Sequence, residues 1–198
     1  MKDKVATVIV DLIPDEEEIM NRLQKDARWG LKRAQREGLV VEESNEWDIF
    51  YKIYQDHMKE IGVKAESLEH VKEHGHVLLI CKKDSTIIGG AALEVVQGVP
   101  TLTRAASKVE FRQFQPNNIL YWHCILWSKN KGYKTLDLGG WQINAQGNLK
   151  GVNEFKERWG EVQYHEKEFP LFKALGRKLI RNSRLFWRIN EKIKKRKH

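Results

Sequence analysis

Cysteine is nearly absent from this chain. Two residues, Cys81 and Cys124, occur among 198. That excludes a disulfide framework and leaves no metal-ligand spacing, so no metal site is expected. Each cysteine lies in an apolar stretch and is expected as a free core thiol in a reducing cytosol. No apolar run approaches the ~20 residues of a membrane-spanning helix, and no signal peptide is read. Glycine is missing altogether from Val99 to Lys131. Acidic residues are outnumbered, 27 against 35 Lys and Arg, for a formal net charge of +8 and a pI of about 9.4. The excess favours an anionic partner such as RNA, a phosphorylated substrate or a membrane surface; a basic surface that is merely solvated is the competing account. Disorder is excluded by 41% hydrophobic residues, and the length suits one domain with a substantial core.

The stretch that organises the rest runs from Asn117 to Gly140, NNILYWHCILWSKNKGYKTLDLGG. Its apolar residues cover most of a helix, which predicts burial on more than one side. Asn117 or Asn118 is expected to cap the first turn, and Gly132 suits the left-handed position after the last. Thr135 to Leu138 is too short for a helix and too apolar for a loop. It reads as an interior strand ending at Gly139 and Gly140, where the backbone can approach a ligand closely.

Before this stretch, Val5 to Leu12 reads as a strand. Asp15 with Glu18 resembles a capping box, and Ile19, Leu23, Ala27, Leu31 and Ala34 then continue one helix to Gly38. A second strand begins at Leu39 to Val41, and Trp47 to Ile61 is an amphipathic helix. A short helix is expected at Leu68 to Glu73. Three strands follow, His76 to Lys82, Thr86 to Val96 and Thr101 to Ala106, with hairpin chemistry at Lys83-Asp84-Ser85 and Gln97-Gly98. After Gly140 come a polar loop, a helix near Val152 to Arg158 and a strand from Glu161 to Glu168. The segment after Pro170 carries a helical apolar stripe and a strongly basic remainder, including Arg181, Arg184, Arg188 and Lys192. It suits an anionic membrane or RNA phosphates; a helix packed on its own domain is an equal reading.

Three stretches resemble the Fem-type aminoacyltransferases, which build peptidoglycan cross-bridges within the GNAT acyltransferase superfamily. They are Arg28 to Gly38, RWGLKRAQREG; the central helix through Lys131-Gly132-Tyr133 to Leu136-Asp137-Leu138-Gly139-Gly140; and Gly151 to Gly160, GVNEFKERWG. The last is similar to the family's G-hydrophobic-x-x-F-K-x-x-F-G. Fem-type enzymes usually carry two GNAT-like domains, and this chain has the length of one. The resemblance implies a single α/β (α+β) GNAT-like domain over residues 1–170, a mixed, mostly antiparallel sheet flanked by helices, with a basic amphipathic helix and tail over residues 171–198.

The resemblance also implies chemistry. GNAT proteins that use acetyl-CoA place a turn R/Q-x-x-G-x-G/A before the central helix, where backbone N–H groups hold the pyrophosphate. Here the position reads Arg112-Gln113-Phe114-Gln115-Pro116-Asn117-Asn118. No register supplies the glycines, and Pro116 removes a donor. The implied donor is therefore aminoacyl-tRNA as co-substrate, with no bound cofactor, and acyl-CoA is the alternative. A non-catalytic GNAT-like binding module is the third reading. By resemblance, Lys156 stabilises the oxyanion and Phe155 packs on the tRNA acceptor end; a solvated lysine and a core aromatic are what the residues alone suggest. Asp137 orients or deprotonates the acceptor amine, or is a structural carboxylate. Arg104 meets a phosphate or carboxylate, or is a paired buried arginine. Asn117, Asn118, Gly139, Gly140 and Trp141 complete the expected substrate-facing set, and His123 is expected in the core. The implied partners are tRNA and an anionic or lipid-linked acceptor such as a cell-wall precursor. The implied place is the cytoplasm, with peripheral contact at the inner membrane face.

Overall fold

The computed structural model describes residues 2–168. The segment after Pro170, with Arg181, Arg184, Arg188 and Lys192, and the expected boundary at residue 170 lie outside the described residues. The compact body is Ala6–Gln163; the outer ends of the first and last strands group with the second unit. In chain order the elements are β1 Lys2–Asp11, α1 Glu16–Arg22, α2 Lys25–Arg36, β2 Val40–Ser44, α3 Trp47–Glu60, α4 Leu68–Glu73, β3 Val77–Lys83, β4 Thr86–Val96 and β5 Val99–Ser107. A 3-10 turn at Val109–Phe114 then leads to α5 Pro116–Asn130, β6 Thr135–Trp141, α6 Asn148–Glu157 and β7 Glu161–Glu168. The seven strands form one sheet in the order β2-β3-β4-β5-β6-β1-β7. The β2-β3, β3-β4, β4-β5 and β1-β6 pairs are antiparallel, and β5-β6 is parallel. This is the mixed, mostly antiparallel sheet that the sequence predicts.

Strand alternation divides the core between the two faces. On β3, Leu79 and Cys81 join the larger cluster with Leu31, Leu120 and Ile125, while Leu78 and Ile80 join Phe50, Ile53 and Val71 on the other side. α5 carries nine buried residues, which matches the wide apolar surface read from its sequence. Both cysteines are buried and free. Burial alone pushes the Cys81 thiol up to about 12 and the Cys124 thiol higher still, so both stay protonated and act as core apolar groups.

Two local expectations are corrected. The helix expected to run from Asp15 to Gly38 is two helices. Leu23 and Gln24 are extended between them. The reason is tertiary: Gln24 N–H donates to Arg158 O at 3.0 Å, and Gln24 Nε2 donates to Glu157 O at 3.1 Å. Arg28 then donates to Leu23 O and, at 3.0 Å, to Asn21 O, satisfying the carbonyls released at the end of α1. The second correction concerns α5. Neither Asn117 nor Asn118 is its cap. Gln115 holds that position in the left-handed region, φ 63°, and Pro116 occupies the first helical position. Proline's fixed φ suits that place, where its missing N–H has no helical partner to lose.

Candidate acyl-transfer site at the β5-β6 junction

β5 and β6 meet at a single registered pair, Thr101 with Asp137. On its other side, β6 pairs with β1, where Thr7 is opposite Gly140 and Ile9 is opposite Asp137. Two steps on β1 therefore face three on β6, so β6 carries a bulge between Asp137 and Gly140. Gly139 sits in it with φ +78°. A Cβ there would lie 2.8 Å from the carbonyl oxygen of Leu102 on β5. Only glycine meets both demands, a left-handed backbone and a close neighbouring strand.

The bulge gathers polar groups. Asp137 Oδ1 accepts from the Gly139 N–H at 2.7 Å and from the Thr7 hydroxyl, which also lies 3.0 Å from Gly139 O. One oxygen of Asp137 thus has the structural role weighed for it from the sequence. Lys156, on the last turn of α6, donates from Nζ to Gly140 O at 3.0 Å. Burial pulls the Lys156 ammonium down to about 8, against a weaker upward pull from Asp137. A lysine depressed by burial while facing a strand junction is a pattern common at functional sites.

α6 is anchored by neighbouring contacts. Asn153 is 4% exposed and clamps the loop after β6: its Oδ1 accepts from Gln142 N at 2.9 Å and its Nδ2 donates to Gln142 O at 2.8 Å. Trp141 Nε1 donates to Glu157 Oε1 at 2.6 Å. Phe155 packs edge-on against Tyr121 at 4.9 Å, and Trp159 is fully buried beside both. Asp137, Gly139, Gly140 and Lys156 therefore meet directly, with Trp141 tied to α6 and Phe155 turned toward the core. Thr7 and Asn153 were missed in the sequence. Thr7 belongs to a run of β-branched strand residues, and only its register opposite the bulge marks it.

The other expected residues lie elsewhere. Asn118 is 3% exposed at the start of α5 and donates from Nδ2 to Gln115 Oε1 at 2.9 Å. α2 crosses directly over it: a Cβ on Gly30 would come within 2.5 Å of Asn118 Nδ2. The first turn of α5 is thus packed against α2, with Pro116 also buried. Asn117 Oδ1 is buried without a hydrogen-bond partner among the described residues. Arg104 is the paired buried arginine: Nε and Nη2 donate to Glu66 Oε2 at 2.9 and 2.6 Å, and Tyr54 donates to the same oxygen at 3.2 Å. Its Nη1 is buried without a hydrogen-bond partner among the described residues. His123 is half-buried, and burial lowers its pKa, as expected of a core histidine. The outer face of α2 is different in kind. Trp29, Lys32, Gln35 and Arg36 line a shallow depression, with Trp29 52% exposed and Arg33 stacked over its ring at 5.9 Å. Among the described residues, no helix is long and apolar enough to cross a membrane.

A family model described as Acetyltransferase (GNAT) domain matches residues 21–157. No curated protein matches the chain. Among solved structures, FemX superimposes with a TM-score of 0.72 at 16% identity, over 82% of this chain and 60% of that one. L-PGS from Bacillus licheniformis gives 0.57 at 15% identity, over 88% and 64%. An aminoglycoside acetyltransferase from an uncultured soil metagenomic sample, in complex with sisomicin, gives 0.50 at 12%, over 67% and 96%. The chain thus spans about three fifths of the length of the first two.

Proposed function

The chain belongs to the acetyltransferase (GNAT) domain family and is by that membership an acyltransferase; from this premise we propose that its donor is aminoacyl-tRNA and its acceptor an amine on an anionic or lipid-linked molecule. The observation that carries the reading is the start of α5. In acetyl-CoA enzymes of this superfamily, the resemblance places a glycine-rich pyrophosphate cradle there. Here that turn opens with Pro116, which has no N–H to offer, and Asn118 is buried under Gly30 of α2. Reopening it for a pyrophosphate would require α2 to move. The exposed face of α2 supports the same reading from another side, because a tryptophan flanked by Lys32, Arg33 and Arg36 offers stacking and charge to RNA.

The reaction forms a C–N bond and breaks the ester C–O bond. The amine's proton leaves with the ribose hydroxyl. Ester aminolysis is downhill, so positioning and oxyanion stabilisation are what the protein must supply. In this reading the Lys156 ammonium faces the developing oxyanion. Oδ1 of Asp137 is held by Thr7 and Gly139, and Oδ2 orients the incoming amine. The basic residues Arg181, Arg184, Arg188 and Lys192 are proposed to add contact with tRNA or with an anionic membrane bearing the acceptor.

The test supplies labelled aminoacyl-tRNAs, or labelled acetyl-CoA, with an amine-rich cell-extract fraction. Aminoacyl label should appear in an amide product, and acetyl label should not. Transfer from acetyl-CoA alone would overturn the donor assignment and favour an acyl-CoA N-acyltransferase, the reading to which the 96% coverage of the aminoglycoside enzyme gives weight.

A further inference from the structure

The cysteines offer no metal-ligand spacing, but α4 carries other donors. That helix and its C-cap residue place His70, Glu73 and His74 at spacings of three and four from His70, which brings them to one side. One ligand atom from each lies within 4.8 Å of the other two. We propose that these three residues bind a divalent cation of the late first-row type, zinc foremost. Two imidazoles and a carboxylate are a zinc donor set, and three protein ligands leave a fourth position for water. Zinc holds nitrogen and oxygen about 2.0–2.1 Å away, hence its ligands about 3.4 Å apart, so small side-chain rotations close the site.

A second, independent observation is the carboxylate behind each imidazole. Glu94 Oε1, on β4, lies 3.1 Å from His74 Nδ1. Glu66 Oε1 lies 3.3 Å from His70 Nε2. Carboxylate–imidazole pairs of this kind fix the tautomer and raise the basicity of the nitrogen that faces a metal. They leave Nε2 of His74 and Nδ1 of His70 for coordination. The two rings are packed with centroids 4.4 Å apart, so the pair is already assembled. Glu73 is exposed and His74 half-buried, which gives an ion a path in.

The site borders the sheet beside the β5-β6 junction: Glu94 is the β4 partner of Thr101, which itself pairs with Asp137. His74 O is 3.1 Å from the Thr103 hydroxyl of β5, and Glu94 belongs to β4. A cation would pin the segment between α3 and β3 to the sheet. That segment carries Glu66, the partner of Arg104.

The probe is Zn²⁺ added to chelator-stripped full-length protein, followed by competition with a chromophoric chelator, by the visible spectrum of the Co²⁺ form and by thermal melting. Wild type should take up one ion per chain and melt at higher temperature with Zn²⁺, by mass action. Glu73→Gln and His70→Asn are partly or fully exposed changes, and each should weaken Zn²⁺ at least about tenfold and remove the melting shift. Glu94→Gln should weaken it about 10- to 100-fold. Absence of uptake by wild type overturns the proposal. So does wild-type affinity in both Glu73→Gln and His70→Asn, or an equal loss from His165→Asn, an exposed histidine on β7.

Discussion

Lys156→Met is expected to remove acyl transfer while making the protein more stable at neutral pH. The two effects share one cause. The Lys156 ammonium is pulled down to about 8 mainly by burial, and its carbonyl partner, Gly140 O, does not compensate. Methionine fills similar space with no charge to desolvate. Because the ammonium keeps partial access to water, the full shift is discounted, and a gain of about 1–2 kcal/mol is expected at pH 7. The loss of an oxyanion-stabilising group is expected to lower kcat about 10²- to 10³-fold.

The pH dependence has a definite sign. Between about 8 and the ordinary lysine value of 10.5, the unfolded chain keeps the proton and the folded chain has released it. Wild-type stability therefore rises with pH across that window, and below about 8 the burial penalty is fully present. The methionine variant should lack this rise. The wild-type rate should fall as pH climbs through about 8, because the cation is the active form. Urea denaturation at neutral and alkaline pH checks the first statement, and a pH–rate profile checks the second. A variant less stable than wild type at pH 7, or one that retains its rate, would make Lys156 a packing residue.

Gly139→Ala is expected to carry the largest stability loss of any single-methyl change at the junction. The new methyl meets a backbone oxygen, Leu102 O, at 2.8 Å, and the residue keeps φ +78°. Neither strand yields cheaply, since β6 is paired on both sides. Left-handed strain and the clash together predict about 2–4 kcal/mol. Activity should fall further than stability explains, because the same methyl would stand 3.6 Å from Lys156 Nζ. Gly140→Ala is the internal control. Nothing lies within 4 Å of its Cβ and its φ is ordinary, so a change within about 0.5 kcal/mol is expected. Equal urea midpoints for the two variants would disprove the close approach of β5 to the bulge.

Much of the fold was legible because it is local. The β4 limits, the α4 limits and the last strand follow from strand composition, turn residues and a serine cap: Ser67 accepts from His70 N at 3.2 Å. Gln97 and Gly98 both take positive φ, as their hairpin chemistry requires. Gly132, at φ +82°, ends α5 where the helical pattern stops. The site was legible only in part. Gly139, Gly140 and Asp137 stand out at the end of an apolar strand, but the roles of Lys156 and Phe155 rest on a resemblance, since no periodicity singles out a lysine on a polar helix face.

What the sequence determined by itself is the set of elements, the wide apolar surface of α5 and the lack of glycine before it, since propensity, side-chain period and backbone freedom act over a few residues. Tertiary structure decided the rest. It broke the first helix at Leu23-Gln24 with hydrogen bonds that Gln24 donates to the carbonyls of Arg158 and Glu157, more than 130 positions away. It gave Arg104 a carboxylate partner in Glu66 and brought Thr7 to Asp137. It also set the charge state of Lys156, because desolvation depends on what surrounds the ammonium and not on its neighbours in the chain.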